Sequence, residues 1–317
     1  MDDGRLGRDL ERPPVKEVVS HKAGFVVLLG RPNAGKSTLL NALLKTKLSI
    51  VSPKPQTTRH KILGILGGDG YQICLLDTPG MIPDPRDPLQ GALRKTAQHA
   101  AHDEVDILIL LVEPAPPDDA TLKEWSAIAR CGVPIILVLN KIDLPSAAGS
   151  HDAVLKAYQD AVQPAAVLRI SAVRKQNLDA LLKEILERLP DCPPFYDEGN
   201  LSDRFERFFV AEIIREQVFE LYSQEIPHAT AVVVETYKER PGGKDEIYAT
   251  LYIERDGQKG IILGPGGRTL RDLVKRSQKA IEEFLSRRVE LEVWVKLRKN
   301  WRKDERSLKE FGYIQGG

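Results

Sequence analysis

Gly30-Arg31-Pro32-Asn33-Ala34-Gly35-Lys36-Ser37 is the stretch from which the fold is read. It matches Gly-x4-Gly-Lys-[Ser/Thr], the phosphate-loop pattern. Its flanks agree. Residues 25–29, Phe-Val-Val-Leu-Leu, form an apolar run such as a buried strand leaves, and residues 38–44 follow with a helical pattern. Strand, glycine loop and helix start together aim backbone N–H groups and a helix N-terminus at a polyphosphate. Gly30, Arg31, Pro32, Asn33, Ala34, Gly35, Lys36, Ser37 and Thr38 are therefore candidate nucleotide contacts. Lys36 would reach the β- and γ-phosphates, and the Ser37 hydroxyl would ligate Mg²⁺.

Downstream, two apolar runs at 61–66 and 71–76 are joined through Gly67-Gly68-Asp69-Gly70, a hairpin signature. The second ends in Asp77-Thr78-Pro79-Gly80. A carboxylate at the end of a strand is where a phosphate-loop enzyme holds its Mg²⁺, and the Gly80 N–H is placed to face a γ-phosphate. Alone, Asp-x-Pro-Gly is a plain turn; its order after the phosphate loop gives it meaning. Between these motifs, the proline-bearing polar run at 52–60 is expected to be a mobile loop whose threonine completes the Mg²⁺ shell. A second mobile loop is expected at 81–88.

Buried strands are then expected at 105–112, 133–139 and 166–170, alternating with helices at 89–102, 122–130, 154–162 and 178–189. This alternation predicts an α/β fold with a mostly parallel sheet covered on both faces, its ligands bound outside the carboxyl ends of the strands. Asn140-Lys141-Ile142-Asp143 lies at one such end. The Asp143 carboxylate matches the two adjacent donors on guanine, N1–H and the exocyclic 2-amine, whereas adenine has an acceptor at N1 and no amine beside it. Asn140 would tie this segment to the phosphate loop, Lys141 would lie over the ring, and Ser171 and Ala172 would offer backbone N–H groups to O6.

This ordered set resembles the translation-factor-related GTPases. Its wording, with Gln56-Thr57-Thr58-Arg59-His60 between the first two motifs and Ile170-Ser171-Ala172 after the last, is similar to the Era group. The resemblance implies that Thr58, rather than Thr57, is the switch-I Mg²⁺ ligand beside Ser37 and Asp77. Ras-like enzymes carry a water-orienting Gln just after Asp-x-x-Gly; here Met81 stands there, so slow intrinsic hydrolysis is expected. Related GTPases with Asn at the place of Asn33 use it to hold K⁺ beside the phosphates. The implied catalytic set is Asn33, Lys36, Thr58 and Gly80.

The chain has 317 residues with 42% hydrophobic and 29% charged content, which suits a soluble protein with a sizeable core in one or two domains. A net charge of +1 confines any nucleic-acid-binding surface to a local basic patch. Cys74, Cys131 and Cys192 are far apart and odd in number, so buried free thiols are expected rather than a disulfide or metal site. No apolar run approaches a membrane span. The N-terminus carries acids and no apolar segment, which predicts no secretory signal; a cytoplasmic protein is expected, and a processed organellar form is also compatible.

The alternation breaks at residues 190–200, rich in proline and acids. The expected organisation is an arm at 1–22, a GTPase domain at 23–190, a linker at 191–200 and a smaller α+β domain at 201–317. In that last part a long helix is expected at 207–225, with Phe208, Ala211, Ile214, Val218 and Leu221 on its buried face. Strands follow at 230–237, 247–254 and 289–297, the last ending in a basic run at 298–303. Gly264-Pro265-Gly266-Gly267 precedes a helix bearing Arg268, Arg271, Lys275, Arg276 and Lys279. The order helix-strand-strand-helix-helix-strand with Gly-x-x-Gly resembles a type II KH domain. Gly260, Ile261, Ile262, Gly264, Pro265, Gly266, Gly267, Arg268, Arg271 and Lys275 are the expected RNA contacts, since a glycine turn admits a nucleic-acid backbone and a basic helix start attracts its phosphates. Trp294 is expected in the core; Trp301 is left open.

The Era resemblance implies that GTP and GDP are the nucleotides, and that the partner is the 3′ end of small-subunit, 16S-type ribosomal RNA during assembly of the 30S subunit. It also implies peripheral membrane contact and a monomer. Two rival readings stand beside it. One is an RNA-binding scaffold that holds nucleotide without cleaving it. The other is a tRNA-modifying or tandem-domain GTPase with the same front half, against which residues 259–279 argue.

Overall fold

The computed structural model describes residues 21–82, 84–101, 105–145 and 151–314. The expected N-terminal arm lies outside the described residues up to residue 20, and Lys22 already belongs to the first strand, β1 (Lys22–Gly30). Helix α1 (Lys36–Leu44) follows the phosphate loop. The hairpin is β2 (Ile62–Gly68) and β3 (Tyr71–Asp77). Then come α2 (Pro88–Ala100), β4 (Ile107–Val112), α3 (Asp119–Ile128), β5 (Ile135–Leu139), α4 (His151–Val162), β6 (Ala166–Arg169) and α5 (Leu178–Arg188). The sheet order is β2-β3-β1-β4-β5-β6, parallel throughout except for the β2–β3 pair.

Side chains alternate across this sheet. From β1, Val26 and Leu28 join Leu39, Leu40, Leu181 and Ile185 of α1 and α5 in one core. Val27 and Leu29 face the other way and join Ala97, Trp125, Leu155 and Tyr158 of α2, α3 and α4. A parallel sheet covered on both faces needs such continuous apolar strands. Helices α2 and α3 begin where the sequence provides caps: Asp87 accepts from Gln90 N at 2.9 Å with Pro88 behind it, and Asp118 accepts from Thr121 N at 2.7 Å.

The second half contains α6 (Glu206–Leu221), β7 (Ala231–Lys238), β8 (Asp245–Ile253), α7 (Asp256–Leu263), α8 (Arg268–Leu285) and β9 (Val289–Leu297). Its sheet runs β7-β8-β9, antiparallel then parallel. A further helix, α9 (Glu305–Glu310), follows, which no periodicity in the sequence marks; Asp304 caps it through Ser307 N at 2.9 Å.

Several expectations are corrected. Helix α6 stops at Leu221, four residues short of the expected end, and is buried on nearly every side. Val210, Ile214 and Val218 meet the three-stranded sheet, while Glu212, Arg215 and Glu216 are buried toward the loop at 51–59. Trp294 is 61% exposed, because the alternation along β9 sends Val289 and Leu291 inward and Glu290, Glu292 and Trp294 outward. Trp301 is fully buried, its indole N–H donating to Ala229 O at 2.9 Å. Of the cysteines only Cys74 is buried, although all three are free. Residues 191–202 lie along the first sheet as a strap: Cys192 N donates to His21 O, the Gln72 side chain bonds the backbone of Phe195 and Tyr196, and Ile65 N donates to Leu201 O.

Candidate nucleotide site and nucleic-acid interface

The phosphate loop turns back on itself through two left-handed residues, Asn33 with φ 68° and Gly35 with φ 98°. A Cβ on Gly35 would come within 2.2 Å of Asn140 Nδ2, so glycine is required both for the backbone angle and for the approach of that side chain. Asn140 Nδ2 donates to Ala34 O at 2.9 Å, and Asn140 Oδ1 accepts from Ala172 N at 3.0 Å. One buried amide thus joins the phosphate loop, the end of β5 and the turn after β6. Asp143 lies beside them and accepts from Ser171 Oγ at 2.6 Å, a bond that holds its carboxyl below the usual range and keeps it an acceptor. Ser171 N already donates to Gln176 O and Ala172 N to Asn140, so the two N–H groups expected to face O6 are engaged within the chain.

Ser37, Thr58 and Asp77 converge. Ser37 Oγ donates to Asp77 Oδ2 at 2.6 Å and lies 2.8 Å from Thr58 Oγ1. Asp77 is fully buried, burial raises its pKa, and its Oδ1 has no hydrogen-bond partner among the described residues. A buried carboxylate oxygen without a donor, beside two hydroxyls, is a donor set suited to a small hard cation such as Mg²⁺. The carbonyl of the neighbouring Thr57 accepts from Arg215. Lys36 Nζ, also buried, donates to Gly30 O at 3.1 Å and Arg31 O at 3.0 Å. Desolvation lowers its pKa to about 8, against the pull of Asp77 and Glu113.

Gly80 closes against the phosphate loop: a Cβ there would lie 2.5 Å from Pro32 N, and the next residue's N–H donates to Gly30 O at 3.0 Å. Thr78 Oγ1 donates to Leu28 O. Met81 is buried in the core and cannot orient water. Asn33 is exposed, and its Nδ2 donates to Pro53 O at 3.0 Å, which ties the phosphate loop to the loop at 51–59. Arg31 bonds outward to Asp118 and Thr121. Asn33, Lys36, Ser37, Thr58, Gly80 and Lys141 line a cavity of about 460 Å³; Asp143 and Ser171 lie outside its lining. A larger cavity of about 660 Å³ lies beside α6 and α8, and the residues lining it do not gather such phosphate- and metal-directed chemistry. Sequence reasoning missed Glu113, which pairs with Lys141 at the rim, since it lies in no motif.

In the second half, Gly264, Gly266 and Gly267 all have positive φ, and Pro265, Gly266 and Arg268 are exposed. A Cβ on Gly264 would strike Thr269 Oγ1 at 2.0 Å. Arg268, Arg271, Lys275 and Lys279 stand exposed along α8 at helical spacing. Ile261 is 53% exposed beside the turn, whereas Ile262 is wholly buried in the core with Leu273. Ile262 is therefore removed from the expected RNA contacts: consecutive residues of a helix point in different directions, so a contiguous run cannot all face one ligand.

Comparison with known proteins agrees with both halves. A family described as 50S ribosome-binding GTPase matches residues 25–141, and one described as KH domain matches residues 225–302. GTPase Era of Clostridium tetani is 43% identical over 93% of this chain and 99% of its own length. The chloroplastic GTPase ERA1 of Zea mays is 42% identical over 93% of this chain and 71% of its own. Among solved structures, a point variant of Aquifex aeolicus Era bound to GDP·AlF4⁻ superposes with a TM-score of 0.84 at 33% identity, covering 92% of this chain and 99% of that one. Era in complex with MgGDPNP and nucleotides 1506–1542 of 16S ribosomal RNA gives 0.85 at 33% identity, covering 93% and 99%.

Proposed function

This chain belongs to the Era family of GTPases, and on that premise we propose that its nucleotide state governs its hold on small-subunit ribosomal RNA. As a GTPase it converts GTP to GDP and phosphate; its RNA partner would be the 3′ end of 16S-type RNA during 30S assembly. The observation that carries the reading is the gathering of Ser37, Thr58, Asp77, Lys36 and Asn140 at the carboxyl edge of one sheet. Lys36 would leave its own loop carbonyls for the β- and γ-phosphates, and Asp143 would accept the guanine N–H groups. Mg²⁺, held by Ser37, Thr58 and Asp77, would offset charge on the phosphates. The exposed Asn33 and the adjoining Pro53 carbonyl favour a K⁺ beside the phosphates, compensating for the lack of a glutamine after Gly80.

The exposed glycine turn and the basic face of α8 support RNA binding at residues 260–275, through Gly264, Pro265, Gly266, Gly267, Arg268, Arg271 and Lys275. The strap along the first sheet supports a boundary at 191–200 between the nucleotide unit, 23–190, and the RNA unit, 201–317. Among the described residues no helix is long and apolar enough to cross a membrane; membrane contact would be peripheral. The two-part test is GTP turnover and crosslinking to total RNA. Lys36→Ala should abolish turnover. Gly264→Asp should abolish crosslinks to 16S RNA while sparing turnover. A Gly264→Asp protein that crosslinks as before overturns the RNA assignment.

A further inference from the structure

The loop at 51–59 carries Thr58 to the metal site, yet most of its anchors lie in the other half of the chain. Arg59 is 2% exposed and enters a cage of main-chain carbonyls: its guanidinium donates to Thr230 O at 2.7 Å, His228 O at 3.0 Å and Pro227 O at 3.1 Å. It also lies 5.7 Å from the ring centres of Trp301 and Tyr313. On the other side of Thr58, Thr57 O accepts from the buried Arg215, which Glu212 clamps at 2.8 and 2.6 Å. Earlier in the loop, the Lys54 ammonium bonds Phe219 O and Tyr222 O, the carbonyl end of α6, where the helix dipole favours a cation. Val51 N donates to Glu216 at 3.2 Å.

By contrast, among the described residues the loop's side-chain bonds to the nucleotide unit are those made with Asn33 and by Thr58. The loop after Gly80 is held in the same way. Ile82 packs with Trp301, Leu308 and Tyr313, and Arg302 bridges Asp87 to Glu254.

We infer that the RNA-binding unit is part of the GTPase site, with Arg59, Arg215 and Lys54 acting as positioning residues that set Thr58 against Ser37 and Asp77. This rests on the GTPase reading above and adds the structural link it requires. An arginine buried among carbonyls cannot be withdrawn part-way without leaving several acceptors unpaired, so the loop has two discrete states rather than a continuum. One path from this loop to the RNA face runs through Tyr222. The Tyr222 carbonyl accepts from Lys54, and the Tyr222 hydroxyl donates at 2.8 Å to Ile262 O, two residues before Gly264.

The test uses the full chain with Arg59→Met and Lys54→Met, substitutions that keep length and remove the donors. GDP affinity, Mg²⁺-dependent affinity for a non-hydrolysable GTP analogue, and kcat are measured for each. GDP contacts need no Thr58, so GDP binding should stay within about twofold, while analogue affinity and kcat each fall about tenfold, a coupling of ordinary allosteric size. Equal losses for both nucleotides, or none, overturn the inference. If Arg59→Met does not fold, Lys54→Met decides alone, because its side chain is only partly buried. A wild-type protein that prefers ATP to GTP defeats the GTPase reading itself, a result distinct from failure of the clasp.

Discussion

Lys36 carries the sharpest electrostatic consequence at the level of single residues. Its ammonium is buried against two loop carbonyls, and burial lowers its pKa to about 8. Phosphate oxygens would restore the ordinary lysine value, so the bound form holds the proton where the free form has lost it. By linkage, nucleotide affinity is then flat below about pH 8 and falls as pH rises above it. Calorimetry at pH 8.5 in two buffers of different ionisation enthalpy should show proton uptake on binding. Identical heats would contradict this. The motif residues were legible because their roles follow from short spacing around one loop. Arg59 and Arg215 were not, since the carbonyls that cage one and the Glu212–Thr57 pairing that fixes the other arise from tertiary packing. Trp294 was legible and misread: Glu290 and Glu292 share its parity along β9, and that alternation should have outweighed the apolar character of the indole.

Among elements, the phosphate loop and the loop at 51–59 act as a pair. Asn33, in left-handed conformation, donates its amide N–H to Pro53 O, which brings a backbone carbonyl oxygen beside the phosphate loop. If K⁺ occupies that place, turnover should be about tenfold or more faster in KCl than in NaCl, within the range of one electrostatic stabiliser. Asn33→Ala should remove the difference. Equal rates in both salts, with Asn33→Ala silent, would eliminate the K⁺ role. Helix α6 shows where element-level reading stops. Its existence followed from periodicity, but Glu212, Arg215 and Glu216 lie within an apolar run and are buried, so the amphipathic template chose a single face for a helix enclosed on several. Charges embedded in such a run were the available signal. Helix α9 is six residues long, too short for a periodic pattern, although Asp304 three residues ahead of Ser307 is a cap signature.

Across the whole molecule, near-neutral net charge coexists with a basic ridge on α8, so RNA attraction is a local property. The two sheets were legible as fold classes because each has its own rhythm, alternating strand and helix in one, helix-strand-strand-helix-helix-strand in the other. How they meet was not, since it depends on Arg59, Lys54 and Ile82 crossing from loops that read as polar connections. By that junction, ordering of the loop at 51–59 and placement of the RNA unit would be one event. The most direct measurement is the affinity of the full chain for a labelled 3′-terminal fragment of 16S RNA, by fluorescence anisotropy at fixed salt. With Mg²⁺ and a non-hydrolysable GTP analogue the RNA should bind about tenfold more tightly than with GDP. The same affinity in both nucleotide states would contradict the account.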